Sequence, residues 1–332
     1  MRTVELIEPR RLQMGERKVP TPGPGEVRIA VSTVGICGTD LEFFRGARSV
    51  GYPFILGHEC AGRVDAIGDG VDGSALGTPV TVRPNFGCGT CRWCGAERDN
   101  ICPNGRGLGV TIDGCLAEFI LAPARYVWPI PERMDLETAA LIEPAAVAVR
   151  AVRRAGKVAG RRVLVLGAGS IGLLTVRAAV LAGADVVVAD LLPERRRLGI
   201  AWGAASAVDP MSELPAEQPF ACVIETAGVP AAVTRAIECV EPGGRVVLTG
   251  IPMDPAAVGT RWIVWRELEV FGSFIYERED FERACQRIER TDIRALDLVT
   301  HRFPLERAQE AFDVAAAREG MKVLITFDEE DD

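Results

Sequence analysis

The sequence has few histidines and no excess of positive charge. Its 332 residues include only two histidines, and the formal net charge is −8 at pH 7. Proteins that bind nucleic acid normally present a basic face, so this charge argues against a nucleic-acid partner. Because histidine is so scarce, His58 is a conspicuous candidate for a functional role.

Long apolar segments and secretion signals are missing as well. The longest apolar run without a charge, Val163 to Val176, is too short to cross a bilayer and contains three glycines. Residues 1–5 lack the apolar core of a signal peptide. We therefore expect a cytoplasmic protein without a membrane partner.

The order of local patterns predicts an α/β protein with two domains, for which 332 residues are sufficient. Residues 1–35 and 62–84 alternate short strands with glycine and proline turns, which is typical of an all-β barrel. From Arg161 onward, buried strands alternate with helices, as in a doubly wound parallel sheet. The pattern changes again near Thr291, and the closing strand, Lys322 to Phe327, is expected to return to the first domain.

Four of the ten cysteines form a cluster in the sequence. They are Cys88, Cys91, Cys94 and Cys102. Four thiolates from one loop can surround a tetrahedral ion, which is the arrangement of a closed structural zinc site. Disulfides and a chance cluster are the alternatives, but in a reducing compartment clustered thiols are more often metal ligands. We assign this lobe, residues 85–103, to stability, and we expect buried thiols at Cys60, Cys115, Cys222, Cys239 and Cys285.

A second candidate metal site combines a thiol, an imidazole and carboxylates. Cys37 lies in the segment Gly-Ile-Cys-Gly-Thr-Asp, and His58 and Glu59 follow after a glycine. Taken alone this is weak evidence, because most single cysteines are buried apolar side chains. Glu143 precedes a helix-starting Pro144 inside an apolar run, where an acid is costly without a partner. It is either a helix N-terminal charge or a further zinc ligand.

A strand, a glycine-rich turn and a helix follow one another from Val163. A lone glycine motif is weak evidence, but a second strand and a terminal acid, Asp190, complete the order of a dinucleotide-binding unit. The glycines allow a tight turn, close approach to a pyrophosphate and close helix packing, and the helix N-terminus favours phosphate. The predicted contacts in the turn are Gly167, Gly169, Ser170, Ile171 and Gly172.

Residues at the ends of later strands extend the predicted cofactor site. Asp190 would accept hydrogen bonds from the adenosine ribose hydroxyls and repel a 2′-phosphate, which favours NAD over NADP. Arg195 and the two arginines after it could instead bind a 2′-phosphate, so NADP remains an alternative cofactor. The alternative interpretation of these arginines is a solvated helix face. Thr226 and Gly250 follow strand ends, where ligand contacts are expected in such a sheet.

Together these motifs resemble the zinc-dependent medium-chain dehydrogenases over essentially the whole chain. The chain looks most like the sorbitol (polyol) branch, and segments 43–46 and 51–53 are similar to those of sugar and aminocyclitol dehydrogenases. The resemblance implies a GroES-like β-barrel catalytic domain, residues 1–152, to which residues 291–332 return. Residues 153–290 would form a Rossmann NAD-binding domain.

The resemblance also implies two zinc ions per chain, one structural and one catalytic. Cys37, His58 and either Glu59 or Glu143 would hold the catalytic zinc. The metal would polarise an alcohol oxygen, and NAD would accept the hydride or return it to a ketone.

Thr39 would pass on the hydroxyl proton, and Asp40 would orient a ligand. Many relatives have a histidine a few positions later, but residues 41–46 contain none. Glu42, or the ribose hydroxyls with water, are candidates for the outer proton path.

The resemblance implies a secondary alcohol of a polyol, sugar or aminocyclitol as substrate. A threonine-type or glucose-type dehydrogenase is the alternative within the superfamily. A metal-free reductase of the same fold would not need Cys37 and His58, and a zinc-ribbon binding module would carry a basic, aromatic face. Many relatives are dimers or tetramers, so we expect a homo-oligomer.

Overall fold

The chain divides into two structural units. The computed structural model describes residues 1–72, 75–212 and 219–327. The first unit comprises Met1–Glu143 and the chain from Arg294 onward, and the second comprises Pro144–Ile293. The division falls at 143/144 and 293/294, whereas the predicted domain boundaries are 152/153 and 290/291.

The first unit is built mainly from antiparallel strands. Its strands are β1 (Arg2–Glu8), β2 (Arg11–Glu16), β3 (Glu26–Gly35), β4 (Glu59–Ile67), β5 (Pro79–Val82), β6 (Asn85–Phe86), β7 (Arg106–Gly107), β8 (Phe119–Pro123), β9 (Val127–Pro129), β16 (Val299–Pro304) and β17 (Lys322–Thr326). Its helices are α1 (Gly38–Phe44), α2 (Arg92–Gly95), α3 (Leu136–Ala140) and α10 (Ala308–Ala316).

The main sheet of this unit has the strand order β16-β17-β3-β4-β5-β9, and β8 also pairs with β3. Along β3, buried and half-buried residues alternate because successive side chains point to opposite faces. The closing strand β17 pairs antiparallel with β3, with Leu324 opposite Gly35. The C-terminal segment is therefore part of the same sheet that leads into Cys37.

The second unit is a parallel sheet with helices. Its strands are β10 (Arg162–Leu166), β11 (Asp185–Ala189), β12 (Ser206–Val208), β13 (Phe220–Glu225), β14 (Val240–Leu248) and β15 (Glu269–Gly272). Its helices are α5 (Ser170–Leu181), α6 (Pro193–Ala201), α7 (Pro230–Cys239), α8 (Thr260–Trp265) and α9 (Arg278–Glu289), while α4 (Ile142–Ala155) begins just before the division.

The parallel strands lie in the order β12-β11-β10-β13-β14-β15. The inner strands are almost continuously buried runs of valine, leucine and isoleucine, as expected where both faces of a parallel sheet are covered. The chain winds outward in both directions from β10 and β13, so the ligand crevice of such a sheet is expected at the carboxyl ends of these strands. None of the helices in the described ranges has the length and apolarity needed to cross a bilayer.

Candidate functional site

Asp40 ties together the two segments that carry Cys37 and His58. Cys37 directly precedes α1, and its backbone N–H donates to Asp40 Oδ2 at 2.9 Å. The other oxygen, Oδ1, accepts from the backbone N–H of Gly57 at 3.0 Å. Because Asp40 is fully buried, its carboxylate fixes the thiol-bearing and imidazole-bearing segments relative to each other.

His58 lies beside the same carboxylate. Its ring is buried, and Nδ1 lies 3.4 Å from Asp40 Oδ1 without forming a well-aligned hydrogen bond. Burial lowers the pKa of His58, but the charges of Asp40 and Cys37 outweigh burial and raise the pKa well above its usual range. Such negative surroundings favour a cation here, whether it is a proton on the ring or a metal ion beside it.

Glu59 forms a buried ion pair with Lys322, which is not among the predicted site residues. Lys322 Nζ lies 2.8 Å from Oε1 and 2.7 Å from Oε2 of Glu59, and it donates to the carbonyl oxygen of Ile36 at 3.1 Å. Both Glu59 oxygens therefore face the ammonium group. The sequence does contain a signal for Lys322, since a lysine opens the otherwise apolar strand Lys-Val-Leu-Ile-Thr.

Glu143 and Cys37 also act on this ammonium group. Burial by itself would lower the pKa of Lys322, but the charges of Glu59, Cys37 and Glu143 raise it. Glu143 is buried in the first turn of α4, which begins at Ile142 and not at the expected Pro144. The negative charges of the thiol and of both acids therefore all favour the protonated form of Lys322.

The donor types at this centre fit zinc, since thiolate, imidazole and carboxylate are its usual ligands. The ligand atoms are nevertheless not closely assembled. Within the described ranges, ligand atoms of three or more residues lie within 4.8 Å of one another at the cysteine lobe alone. Thr39, in the first turn of α1, is half-buried next to this centre in the chain.

At the cysteine lobe the structure brings all four thiols together. Cys91 Sγ lies 3.6 Å from Cys94 Sγ and 3.7 Å from Cys102 Sγ. Tetrahedral Zn–S bonds place neighbouring sulfurs roughly 3.8 Å apart, so this spacing fits one zinc ion. Hydrogen bonds from Thr90 lower the pKa of Cys88 to about 6, whereas burial raises the pKa of Cys94 to about 12.

All ten cysteines are free thiols. Of those expected to be buried outside the two metal sites, Cys60, Cys115, Cys222 and Cys239 are buried. Cys285 differs, because it is only partly covered on α9.

The glycine-rich turn joins β10 to α5 at the carboxyl edge of the parallel sheet. Gly167 has a φ of +98°, a left-handed conformation that glycine adopts without strain. A Cβ atom on Gly172 would lie 2.0 Å from the carbonyl oxygen of Gly167, so only glycine allows this packing of α5. Gly169 is the N-cap of α5, and Ser170 and Ile171 open the helix. These features fit a bound pyrophosphate.

Asp190 directly follows β11 and is held against this turn. Its Oδ2 accepts a hydrogen bond from the backbone N–H of Ala168 at 2.8 Å, and Oδ1 accepts one from Leu192 at 2.9 Å. The Arg196 guanidinium donates to the carbonyl oxygen of Asp190 at 2.7 Å, and Arg195 is half-buried on α6. The carboxylate thus lies where this type of sheet binds ribose hydroxyls.

Thr226 and Gly250 lie just beyond β13 and β14. Thr226 Oγ1 donates to the carbonyl oxygens of Leu166 at 2.9 Å and Gly167 at 3.1 Å, which ties the end of β13 to the glycine turn. The backbone N–H of Gly250 donates to the carbonyl oxygen of Glu225 at 3.1 Å. Glu225 is a second residue outside the predicted site, and its signal is an acid that ends an apolar strand.

Three features together are typical of a zinc-binding dehydrogenase. They are the parallel sheet of the dinucleotide-binding type, the lobe of four thiols, and the centre that combines a thiol, an imidazole and carboxylates. The family profile of the alcohol dehydrogenase GroES-like domain matches residues 23–132, and that of zinc-binding dehydrogenase matches residues 170–290. The chain belongs to the zinc-dependent medium-chain dehydrogenase superfamily, as predicted. Its fold combines a GroES-like and a Rossmann-type unit, and it is an oxidoreductase that acts on CH–OH donors.

Curated relatives are similar over nearly the full chain. L-threonine 3-dehydrogenase of Saccharopolyspora erythraea is 35% identical, with 95% of each chain covered. Starvation-sensing protein RspB of Escherichia coli K12 is 32% identical over 99% of this chain and 100% of the relative. Sorbitol dehydrogenase of Bacillus subtilis 168 is 31% identical over 98% and 97% of the two chains. Threonine and sorbitol are different kinds of alcohol, so these names do not define one substrate class.

Solved structures superpose closely on the chain. The alcohol dehydrogenase rspB of Escherichia coli CFT073, complexed with NADH, has a TM-score of 0.92 and 32% identity, with 98% of this chain and 99% of that chain covered. A candidate zinc-binding dehydrogenase of Sinorhizobium meliloti 1021, bound to NADP, has a TM-score of 0.91 and 33% identity, with 98% of both chains covered. Both forms of the cofactor therefore occur among similar structures.

Proposed function

We propose that the protein transfers a hydride between NAD and a secondary alcohol of a polyol, sugar or aminocyclitol, using one catalytic and one structural zinc ion. The observation that carries this proposal is the buried Asp40 carboxylate. It accepts hydrogen bonds from the backbone N–H groups of Cys37 and Gly57, so the fold fixes the segments that carry the Cys37 thiol and the His58 imidazole relative to each other. A dehydrogenase without metal would have no need of this arrangement.

Three side chains of the chain would hold the catalytic zinc: Cys37, His58 and Glu143. Glu59 is the less suitable acid, because Lys322 faces both of its oxygens at 2.8 Å and 2.7 Å. If Glu59 left this ion pair to bind zinc, the buried ammonium group of Lys322 would lose its partner, which is strongly unfavourable. We therefore assign Glu59 the role of balancing the charge of Lys322, and not that of a zinc ligand.

When bound, zinc would polarise the hydroxyl oxygen of the substrate, and NAD would supply the hydride acceptor. Asp40 Oδ1 lies 3.4 Å from His58 Nδ1 and would orient the ring from that side, so Nε2 would be the nitrogen available to the metal. Thr39 Oγ1, two residues beyond Cys37, would accept the hydroxyl proton of the substrate while releasing its own proton to the next acceptor. Glu42, half-buried on the same helix, is the candidate next acceptor, and burial raises its pKa despite Arg48 and Arg45.

NAD is the proposed cofactor, with NADP as the weaker alternative. The support is the Asp190 carboxylate, which is pinned at the glycine turn by the N–H groups of Ala168 and Leu192. A fixed negative charge at this position repels a 2′-phosphate. Direct titration with NADH and NADPH measures the preference, and an equal or tighter affinity for NADPH would contradict it.

The decisive experiment joins metal analysis with a substrate screen. Two zinc ions per chain are expected after gentle purification, together with NAD reduction by members of a panel of polyols, sugars, aminocyclitols and simple secondary alcohols. L-threonine belongs in the panel as the second candidate substrate, because the 35% identical relative is an L-threonine 3-dehydrogenase. One zinc or none in a fully active preparation would overturn the proposed mechanism.

We further propose a homo-oligomer, a dimer or a tetramer, in the cytoplasm. Among the described strands β15 lies at one end of the strand order, and its own Val270 is exposed, as are Val264 and Trp265 a few residues earlier in the chain. An exposed apolar patch beside an unpaired strand edge is typical of an interaction surface. Light scattering of the eluted protein measures the mass, and a monomer at micromolar concentration would contradict this. The ten free thiols are consistent with a reducing compartment.

A further inference from the structure

Glu225 is a fully buried acid at the carboxyl end of β13. Its relative exposure is 0%, and the five residues before it in the strand are buried as well. Burying a carboxyl group is costly unless hydrogen bonds compensate for the loss of water. Its hydrogen bonds must therefore offset this cost.

Glu225 makes hydrogen bonds to two separate loops. Its side-chain Oε1 accepts from the backbone N–H of Gly228 at 2.8 Å. Its carbonyl oxygen accepts from the backbone N–H groups of Thr249 at 2.9 Å and Gly250 at 3.1 Å. Burial raises the pKa of Glu225, although the N–H groups of Gly228, Ala227 and Gly250 oppose the rise.

The two loops, residues 226–228 and 249–251, touch each other around this side chain. A Cβ atom on Gly250 would lie 2.3 Å from the nitrogen of Gly228 and 2.7 Å from Glu225 Oε2. Glu225 Oε2 is buried and has no hydrogen-bond partner within residues 1–72, 75–212 and 219–327. A side chain at position 250 would therefore collide with the Gly228 backbone and with the Glu225 carboxyl group.

Both loops follow strands β13 and β14 at the carboxyl edge of the parallel sheet, where ligands bind in folds of this type. The first loop is joined to the glycine-rich turn through Thr226 Oγ1. A shift of either loop would therefore change the position of backbone groups at the edge of the sheet where the cofactor is expected to bind. We propose that Glu225 is a positioning residue that sets the spacing of loops 226–228 and 249–251 for dinucleotide binding. This inference rests on the proposed function, because the ligand is the dinucleotide of that reaction.

The test is a fluorescence titration of the purified zinc-loaded protein with NADH and NADPH. Glu225→Ala is expected to raise the Kd for the preferred dinucleotide about tenfold, since the N–H of Gly228 loses its acceptor. Glu225→Gln is expected to stay within about threefold of wild type, because an amide oxygen can still accept that hydrogen bond. In steady state, Glu225→Ala should raise the KM for the cofactor while the KM for the alcohol and the zinc content stay unchanged.

Gly250→Ala provides a second variant, in case Glu225→Ala does not fold. Its added Cβ pushes the loops apart while the acid is retained, and a similar rise in Kd is expected. The double variant Glu225→Ala/Gly250→Ala should show much less than the product of the two effects, because both act on one spacing. Glu238→Ala is the matched control, since Glu238 is an exposed acid on α7 that pairs with Arg235.

The outcomes separate this inference from the proposed function. If wild type binds neither dinucleotide, both are overturned. If wild type binds and folded Glu225→Ala or Gly250→Ala binds equally well, the positioning role is wrong while the proposed function stands. If Glu225→Gln also lost tenfold in dinucleotide affinity, the positioning role would be overturned. The effect would then depend on the charge of the side chain and not on its hydrogen-bond acceptor.

Discussion

The two candidate metal sites differ in how their ligands are supplied. The lobe takes its four thiols from the single segment Cys88–Cys102, and their ligand atoms lie within 4.8 Å of one another. The other centre draws Cys37, His58 and Glu143 from distant parts of the chain, and its ligand atoms do not meet that limit within the described residues. A site encoded in one loop is nearly complete from local structure, whereas a dispersed site depends on the surrounding fold.

Charge compensation differs in the same way. In the part of the chain that the structure describes, the lobe brings together four thiols for one ion. At the dispersed centre, Lys322 on the closing strand already compensates Glu59. The lobe would therefore suit a permanently held zinc ion, whereas the dispersed centre would leave a coordination position open for substrate.

The largest effect is expected from Cys37→Ser, which removes a thiolate from the dispersed centre. Turnover should fall about 1000-fold or more, since the metal supplies several kcal/mol of stabilisation in the transition state. NADH affinity and the unfolding midpoint should change little, because the Rossmann-type unit is untouched. NAD-reduction rates and a NADH titration measure both. Persistent turnover in this variant would mean that the catalytic assignment is wrong.

Lys322→Met sharpens the comparison by removing the compensating cation. A buried Glu59 carboxylate without its partner should cost about 3–5 kcal/mol of unfolding free energy. Lys322→Met/Glu59→Gln should recover much of this loss, because the uncompensated charge is gone. Denaturant unfolding measures all three proteins, with Lys18→Met as an exposed lysine control. A loss below 1 kcal/mol would show that the ion pair is unimportant for stability.

Cys91→Ser tests the cysteine lobe, and we expect it to lower stability and leave turnover nearly unchanged, which is the reverse of Cys37→Ser. The zinc content should fall from two ions to one, and Tm should fall by on the order of 10 °C, because structural zinc contributes folding free energy. Turnover below the transition should remain within a few-fold of wild type. Cys285→Ser, a change at a partly covered thiol outside both sites, is the control. Loss of turnover with unchanged Tm would reverse the roles assigned to the two sites.

The smallest effect concerns Glu225 and pH. Its pKa is raised in the folded protein, so the folded state holds the proton more tightly than the unfolded state. The associated stability is present below the unfolded pKa and is lost as pH rises through the folded pKa. The unfolding free energy of Glu225→Gln should therefore rise relative to that of wild type as the pH is raised from about 4.3, the ordinary pKa of glutamate. A difference independent of pH would contradict the raised pKa.

Local patterns were sufficient for much of the architecture. Strand β10, the glycine turn and helix α5 follow from a continuous apolar run and from the backbone freedom of Gly167. The start of α4 did not follow, because Pro144 suggests a first helical residue while the helix actually begins at Ile142. Proline fits anywhere in the first turn, so its position does not fix the first residue.

Partners that are far apart in the chain could not be predicted in the same way. Lys322 and Glu59 are brought together by the pairing of β17 with β3 and of β3 with β4. Glu225 meets Gly228 and Gly250 because neighbouring parallel strands end at one edge of the sheet. Periodicity indicates that such residues are buried, but it does not indicate what they contact.

By itself, the sequence determined the superfamily, the two kinds of unit and the candidate ligand types, since these depend on spacing within short segments. Only the tertiary structure decided that Lys322 neutralises Glu59, that Asp40 connects Cys37 to His58, and that Glu225 spans two loops. The physical reason is that a buried charge takes its preferred partner from whichever strand the fold brings within hydrogen-bond distance, whatever the separation along the chain.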